Sequence, residues 1–336
     1  MYTLVVTGGA GFIGSNFVRY ILSKYPDYRV HVLDSLTYAG NLENLEDVSS
    51  NPNFAFTKGD IRDAKVVGEL ATHADAIINF AAESHVDRSI VNPGEFIQTD
   101  VAGVYTLLEA ARSNKHNRFL HISTDEVYGT IAEGSYREGD PLEPNSPYSA
   151  SKAGGELLVR AFNVTYGLNT IVTRGSNTFG PYQYPEKLIP LFVTNLIDGE
   201  KVPVYGDGLQ VRDWLYVLDH CAGVDIALHH GEPGNVYNVG GGNERTNVDI
   251  THRILAQMNK SADFIRHVED RPGHDRRYSI SCDKLKKLGF QQTINFDERL
   301  HETVAWYQEN QSWWRRIKEK QAEYQEFMKN WYAERK

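Results

Sequence analysis

At 336 residues, 41% apolar and 24% charged, the chain has the composition of a globular protein and the length for one large domain plus a smaller lobe. A formal net charge of −9 argues against a nucleic-acid partner, which would need a basic face to replace the counterions of a phosphate backbone. The two cysteines, Cys221 and Cys282, form no CxxC pair, so no disulfide framework and no metal site is expected, and both read as packing residues.

The opening "MYTLVVTGGAGFIG" enters a strand-like run at once, without a basic region, a long apolar stretch or a cleavage site. No run approaches the roughly 18 apolar residues of a membrane span. The expectation is a soluble, cytoplasmic protein with no membrane partner.

Short β-branched runs recur at 3–7, 29–34, 53–60, 76–82, 118–124 and 170–174. Several are apolar throughout, as strands buried on both faces of a parallel sheet are, and helical patterns lie between them. The fold class is α/β: a Rossmann-like doubly wound parallel sheet over 1–175 with a smaller C-terminal substrate-binding lobe over 176–336.

After the first run, "TGGAGFIG" puts Gly8, Gly11 and Gly14 at the opening of a helix. The first glycine permits a tight turn, the second lets backbone N–H groups near a pyrophosphate, and the third packs helix on sheet. Phe12 and Ile13 lie in the same cofactor-binding turn. The second run ends in Asp34, where a carboxylate can accept both ribose hydroxyls and would repel a 2′-phosphate; NAD is favoured over NADP. Asp60 and Ile61 follow the third run, where an adenine edge could be held. Ala81 and Ala82 end the fourth, small enough for a dinucleotide to lie against the backbone.

Ile97, Val101, Val104, Leu108 and Ala111 recur at spacings of four and three, which predicts an amphipathic helix over 94–113. The fifth run delivers "STDEVY", with Thr124, Asp125 and Glu126 together. The segment 129–147 has no periodicity and reads as a lid over the sugar end of a substrate. Ser146 then caps a helix that runs to Gly167. It carries Tyr148 and Lys152 four apart on one face, where an ammonium beside a phenol favours the phenolate for proton transfer, and the Thr124 hydroxyl can complete the set. Tyr20 and Lys24 share that spacing away from any site. Gly154 and Gly155 in the same helix require a close approach by cofactor, sheet or partner helix.

Past 175 the Gly-, Pro- and Tyr-rich stretches predict a loop-dominated lobe that shapes a pocket. "VYNVGGG" at 236–242 either returns to the sheet, as a segment near 212–240 would, or stays in the lobe. Arg212 and Arg271 could each grip a diphosphate bidentately, with Asn247 and His274 adding hydrogen bonds. The tail from 298 to 336 reads as solvated helix docked by its aromatics.

Taken together, the glycine turn, Asp34 and "YSASK" resemble the extended short-chain dehydrogenase/reductase enzymes that act on nucleotide sugars. "LDSLTYAGNLENL", "AAESHVDRSI", "STDEVYG", "NTFGPYQYPEKLIP", "YGDGLQVRDWLYV" and "RPGHDRRYSI" resemble more narrowly the dTDP-glucose 4,6-dehydratase family, over nearly the whole chain. The resemblance implies NAD as cofactor, with Tyr148 and Lys152 among its contacts, dTDP-glucose as substrate, and a homodimer formed through helices 94–113 and 148–166. It implies that Tyr148 takes the C4 hydroxyl proton, Glu126 the C5 proton, and that Asp125 protonates the departing C6 oxygen. It adds Ser84 near the sugar and Asn177, Lys187, Leu188, Pro203 and Tyr205 as contacts to diphosphate or base. A nucleotide-sugar 4-epimerase has no use for an acid that expels water, a decarboxylase would have to recognise a C6 carboxylate, and a non-catalytic NAD-binding regulator would not keep the reactive groups.

Overall fold

The computed structural model describes residues 1–115, 118–292, 295–320 and 322–333. In chain order the first half runs β1 (Tyr2–Thr7), α1 (Phe12–Lys24), β2 (Tyr28–Asp34), β3 (Phe54–Lys58), α2 (Ala64–Ala71), β4 (Ala76–Asn79), α3 (Val86–Val91), α4 (Pro93–Ile97), α5 (Val104–Ser113), β5 (Arg118–Thr124), α6 (Pro147–Tyr166) and β6 (Thr170–Gly175). These strands join a seven-stranded sheet in the order β10-β6-β5-β4-β1-β2-β3, every pair parallel, where β10 is Asn235–Val239. Alternate residues feed two cores. Leu4, Val6, Val30, Val32, Ile78 and Leu120 pack with Phe17, Val18 and Ile21 of α1. Val5, Leu33, Ile77 and Phe119 pack with Leu107 and Leu108 of α5 and Val159 of α6. Both faces are covered, which is why the strands are apolar throughout.

The expected helix at 94–113 is present as α4, a wide π-helical turn at Gln98–Gly103, and α5, without a break. That turn lies against α6 and answers the question raised by the two glycines. A Cβ at Gly155 would sit 2.3 Å from the Asp100 carbonyl oxygen, and one at Gly154 would sit 3.1 Å from Val101 Cγ2. The close approach is a partner helix, not sheet or cofactor.

In the second half follow β7 (Asn177–Phe179), α7 (Leu188–Ile197), β8 (Val202–Tyr205), β9 (Val211–Tyr216), α8 (Val217–His230), β10, β11 (Glu244–Thr246), α9 (Asn247–Gln257), β12 (Ile265–Val268), α10 (Asp283–Lys286), α11 (Phe296–Glu309), α12 (Gln311–Lys320) and α13 (Ala322–Ala333). Small sheets β11-β9-β7 and β12-β8 build the lobe. It is richer in helix than a loop-dominated reading predicts, because "LIPLFVTNLI" is apolar on all sides and its buried helix α7 hides behind the Gly- and Pro-rich turns that flank it. "VYNVGGG" is resolved in favour of the sheet: β10 pairs with β6, whereas β9 stays in the lobe.

The segment 129–147, read as a lid, is a held loop and not a free one. It is fastened to 277–281 by backbone bonds from Ile131 N to Arg277 O (3.1 Å), Tyr136 N to Ser279 O (2.9 Å) and Ser281 N to Tyr136 O (2.8 Å). Tyr136 also stacks on Tyr128, 4.9 Å between ring centres. Backbone pairing with a distant segment leaves no period in the sequence, so a pinned strap and a mobile loop read alike.

The tail docks through Trp313, Trp314 and Tyr324, all buried, as the aromatic reading expected; its last three residues, 334–336, lie outside the described residues. Cys221 and Cys282 are buried and unpaired with each other. No helix among the described residues is long and apolar enough to cross a membrane.

Candidate active site

In a doubly wound sheet the chain reverses direction of growth at one point, and the crevice outside the strand ends there is where ligands bind. Here that point lies between β1 and β4. β1 passes into Gly8 at φ +68°, a backbone conformation that favours glycine, and an added Cβ would lie 2.5 Å from Ala81 N at the end of β4. A Cβ at Gly14 would lie 2.3 Å from Gly8 O, so the third glycine does bring helix and turn together. Gly11, the N-cap of α1, meets only Gly8 O at 3.3 Å and gives no side-chain cap. The first N–H groups of α1 are therefore left for a ligand, at the positive end of the helix dipole.

A cleft of about 330 Å³ opens over this turn. Gly8, Gly11, Phe12, Ile13, Gly14, Asp34, Asp60, Ile61, Ala81, Ala82, Ser84, Thr124, Asp125, Glu126, Tyr148, Lys152, Asn177 and Lys187 all line it. Asp34 is held by Ala10 N (2.9 Å) and Leu36 N (2.8 Å), one on each carboxylate oxygen, so its orientation is set by backbone. Asp60 is paired with Arg62 at 2.6 Å, and the ion pair keeps its carboxyl below the usual range. Uncapped helix N–H groups, a fixed carboxylate and a long cleft between them fit a dinucleotide.

At the other end of the cleft β5 leads into a short 3₁₀ turn at Asp125–Tyr128, capped by Thr124, whose Oγ1 accepts from Glu126 N at 3.2 Å. The same hydroxyl donates to Asp125 Oδ1 at 3.3 Å, while Asp125 Oδ2 is buried with no partner among the described residues. Burial, then the charges of Glu126 and Asp213, push the Asp125 carboxyl well above the ordinary carboxylate range against the pull of Arg212. Glu126 is also raised, by burial, but Arg271, Arg212 and Lys187 pull it back toward ionisation. The two neighbours thus diverge: Asp125 holds a proton more readily, and three cations favour a charged Glu126.

Lys152 Nζ donates to Ile122 O at 2.7 Å, and burial lowers its pKa. The phenolate expected at Tyr148 is not favoured in this structure. Burial, then Glu126, Asp100 and Asp125, raise the phenol well above its ordinary value, against a lowering contact with Thr124. Four-residue spacing brings Tyr and Lys to one face but says nothing of the carboxylates that tertiary folding adds around the phenol. The look-alike pair Tyr20 and Lys24 is bound up elsewhere, both bonded to Asp225 of α8.

Leu188, Pro203, Tyr205, Arg212, Asn247, Arg271 and His274 do not line this cleft. Arg212 donates to Asp275 O (3.0 Å) and lies over the Tyr278 ring (4.2 Å). Arg271 pairs with Asp87 (2.7 Å), and Tyr205 donates to the same carboxylate. His274 is bonded to Asp270, and burial with nearby Arg271 and Arg212 lowers it to about 4. Asn247 and Leu188 open α9 and α7, and Pro203 is buried on β8 beside Tyr324 and Met328. Through the charges of Arg271 and Arg212 on Glu126, this second cluster adjoins the acidic end of the cleft.

One cleft residue and one beside the site escaped sequence reasoning. His220 of α8 bonds Thr178 at 2.8 Å, and Gly175 must lack a Cβ because one would meet the His220 ring at 2.5 Å. A lone His on a helix carries no spacing signal. Asp100, in the π turn, accepts from Ser151 Oγ (2.7 Å) and Glu83 N (2.9 Å) beside Lys152, and burial raises its carboxyl to about 6.

A parallel sheet with this glycine turn at its switch point, and Tyr and Lys facing the same cleft, places the molecule in the class of dinucleotide-binding Rossmann enzymes. Within that class, residues 5–303 match the model of the GDP-mannose 4,6 dehydratase family, and the chain belongs to that family. It is 50% identical to a dTDP-glucose 4,6-dehydratase of an Actinoplanes species, covering 93% of this chain and 99% of that one. It is 52% identical to the low-salt glycan biosynthesis protein Agl12 of Haloferax volcanii, covering 90% of this chain and 98% of that one. Among solved structures, DesIV, a dTDP-glucose 4,6-dehydratase of Streptomyces venezuelae with NAD bound, superposes with a TM-score of 0.92 at 51% identity, over 94% of this chain and 99% of DesIV. A UDP-glucose 4-epimerase of Thermotoga maritima gives 0.85 at 28% identity, over 92% and 99%.

Proposed function

We propose that the chain is an NAD-dependent dTDP-glucose 4,6-dehydratase, a lyase that forms dTDP-4-keto-6-deoxyglucose. The observation that carries this reading is the pair Asp125 and Glu126 in one cleft with Tyr148, both carboxyls raised by burial and Glu126 pulled back by three cations. Relatives about half identical over nearly their full length act on dTDP-glucose by name, which favours that sugar nucleotide.

Gly8, Gly11, Phe12, Ile13 and Gly14 would hold the pyrophosphate of NAD, Asp34 the ribose hydroxyls, Asp60 and Ile61 the adenine side, and Ala81, Ala82, Tyr148 and Lys152 the rest. When bound, NAD supplies the hydride acceptor for C4 and later the hydride donor for C6. The protein's own groups move the protons. Tyr148, with Thr124 beside it and Lys152 behind, takes the proton of the C4 hydroxyl as its phenolate, the form that the positive nicotinamide of bound NAD would favour against the carboxylates that raise the phenol. The resulting ketone acidifies C5–H and makes the C6 hydroxyl a β-leaving group. Glu126 removes the C5 proton, and its electron pair forms the C5–C6 double bond as the C6–O bond breaks. Asp125 gives its proton to the departing oxygen, so that water leaves, and Glu126 returns its proton to C5 once C6 has been reduced.

Arg212, Arg271, Lys187 and Asn177 are assigned to the diphosphate, with Asn247 and His274 adding hydrogen bonds. Ser84 is assigned to the sugar, and Leu188, Pro203 and Tyr205 to the nucleotide. A homodimer through helices 94–113 and 147–166 is supported by the exposed Ile97, Tyr105, Leu157, Val164 and Tyr166 on those helices. Free, buried thiols agree with a cytoplasmic location.

The test is a panel of purified nucleotide sugars incubated without added NAD and scored for 4-keto-6-deoxy product. Product from dTDP-glucose is expected; C4 epimer from any of them, with no dehydration, would instead establish the epimerase reading.

A further inference from the structure

The family match stops at residue 303, yet α13, which lies beyond it, reaches back to the second cluster. Trp331 Nε1 donates to the Tyr205 hydroxyl at 2.7 Å. That hydroxyl donates to Asp87 Oδ2 at 2.9 Å, and Asp87 Oδ1 accepts from Arg271 Nη1 at 2.7 Å. Four residues from α13, β8, α3 and the loop after β12 thus form one relay. A phenol has a single proton to give; here it goes to Asp87 while a lone pair takes the indole N–H, so the Tyr205 ring has its direction set at both roles.

One turn earlier on the same helix face, Phe327 stacks with Trp331, their rings 14° from parallel and 6.0 Å apart. It lies over the Arg88 guanidinium at 4.4 Å and meets His85 edge-on at 5.5 Å. His85 is the N-cap of α3, the helix that carries Asp87. α13 therefore grips α3 at two places. Asp87 stays a carboxylate: burial works against it, but the Arg271 and His85 charges and the bonds from Arg271 and Tyr205 hold it at about 2. With Nη1 committed to Asp87, Arg271 Nε is buried and without a partner among the described residues, a donor open to an incoming acceptor.

We propose that α13 is a strut for the substrate's nucleotide end, and that Trp331 is a positioning residue acting through Tyr205 and Asp87 to aim Arg271 at an anionic diphosphate. The inference rests on the reading of Arg271 given above. Trp331→Phe keeps the ring that stacks on Phe327 and removes only the N–H. It should weaken dTDP binding, measured by calorimetry on the NAD-containing protein, by about 3- to 10-fold, the worth of one hydrogen bond. KM for dTDP-glucose should rise by a similar factor, with kcat and the NAD content of the purified protein unchanged. Phe327→Leu, which takes the stacking ring from Trp331 and Arg88 but keeps every hydrogen-bond donor and acceptor of the relay, should raise KM less. A Trp331→Phe protein with wild-type dTDP affinity and KM, or with kcat lowered at constant KM, overturns the strut. A wild-type protein that binds none of dTDP, UDP and GDP overturns instead the nucleotide-sugar reading on which it stands.

Discussion

At the scale of single residues the proposed mechanism rests its chemistry and its pH dependence on the two adjacent carboxyls, each in the state that the mechanism requires. Asp125 must enter the reaction protonated, and its raised pKa keeps it so; as pH rises through that value the acid is lost and the rate falls. Glu126 must enter ionised, and since its pKa is also raised, the acidic fall in rate begins at higher pH than for an ordinary glutamate. Initial rates of product formation across pH should trace a bell with both limbs. Changing Asp125 to Asn and Glu126 to Gln should cut elimination by roughly 100-fold or more while C4 oxidation continues. The mark of that state is NADH absorbance without 6-deoxy product. Stability moves the other way. A buried carboxyl with a raised pKa binds a proton that the unfolded chain has already released, so it destabilises the fold increasingly as pH rises above the unfolded value. Asp125→Asn should therefore raise the melting temperature at pH 7 and lose that gain near pH 4, seen by calorimetry at the two pH values.

At the scale of elements the fit of α6 against the π turn is the joint that matters, because α6 carries Tyr148 and Lys152 and the turn carries Asp100. Gly155→Ala puts a methyl 2.3 Å from a backbone oxygen that cannot move alone, and should cost about 1–3 kcal/mol in the urea midpoint. Gly154→Ala meets only a side-chain methyl at 3.1 Å, which can yield, and alanine is worth up to ~1 kcal/mol over glycine inside a helix. Its effect should be small or stabilising. The glycine turn is a second such joint. Gly8→Ala is strained by its positive φ and by contact with Ala81, and should yield protein purified without dinucleotide, read from its ultraviolet spectrum.

At the scale of the whole molecule the proposed homodimer would cover the apolar side chains left exposed on helices 94–113 and 148–166. Two helices from each of two copies would bury Ile97, Tyr105, Leu157, Val164 and Tyr166 together. Replacing Leu157 and Val164 with Glu should convert a species of twice the chain mass into a monomer, as weighed by light scattering after gel filtration.

Local chemistry written in consecutive residues was legible without a structure: the strands of the sheet, the glycine turn, Asp34, the helix cap at Ser146, and the succession Thr124, Asp125, Glu126. Each depends on contacts within a few residues or on a period of the chain, and such information survives in one dimension. Tertiary structure alone decided that 129–146 is strapped to 277–281, that β10 rejoins the sheet, and that burial and carboxylates from two elements raise the Tyr148 phenol. It alone set Trp331 against Tyr205, 126 positions away. Those outcomes rest on charge and contact between segments distant in sequence, where neither periodicity nor spacing records which partner will arrive.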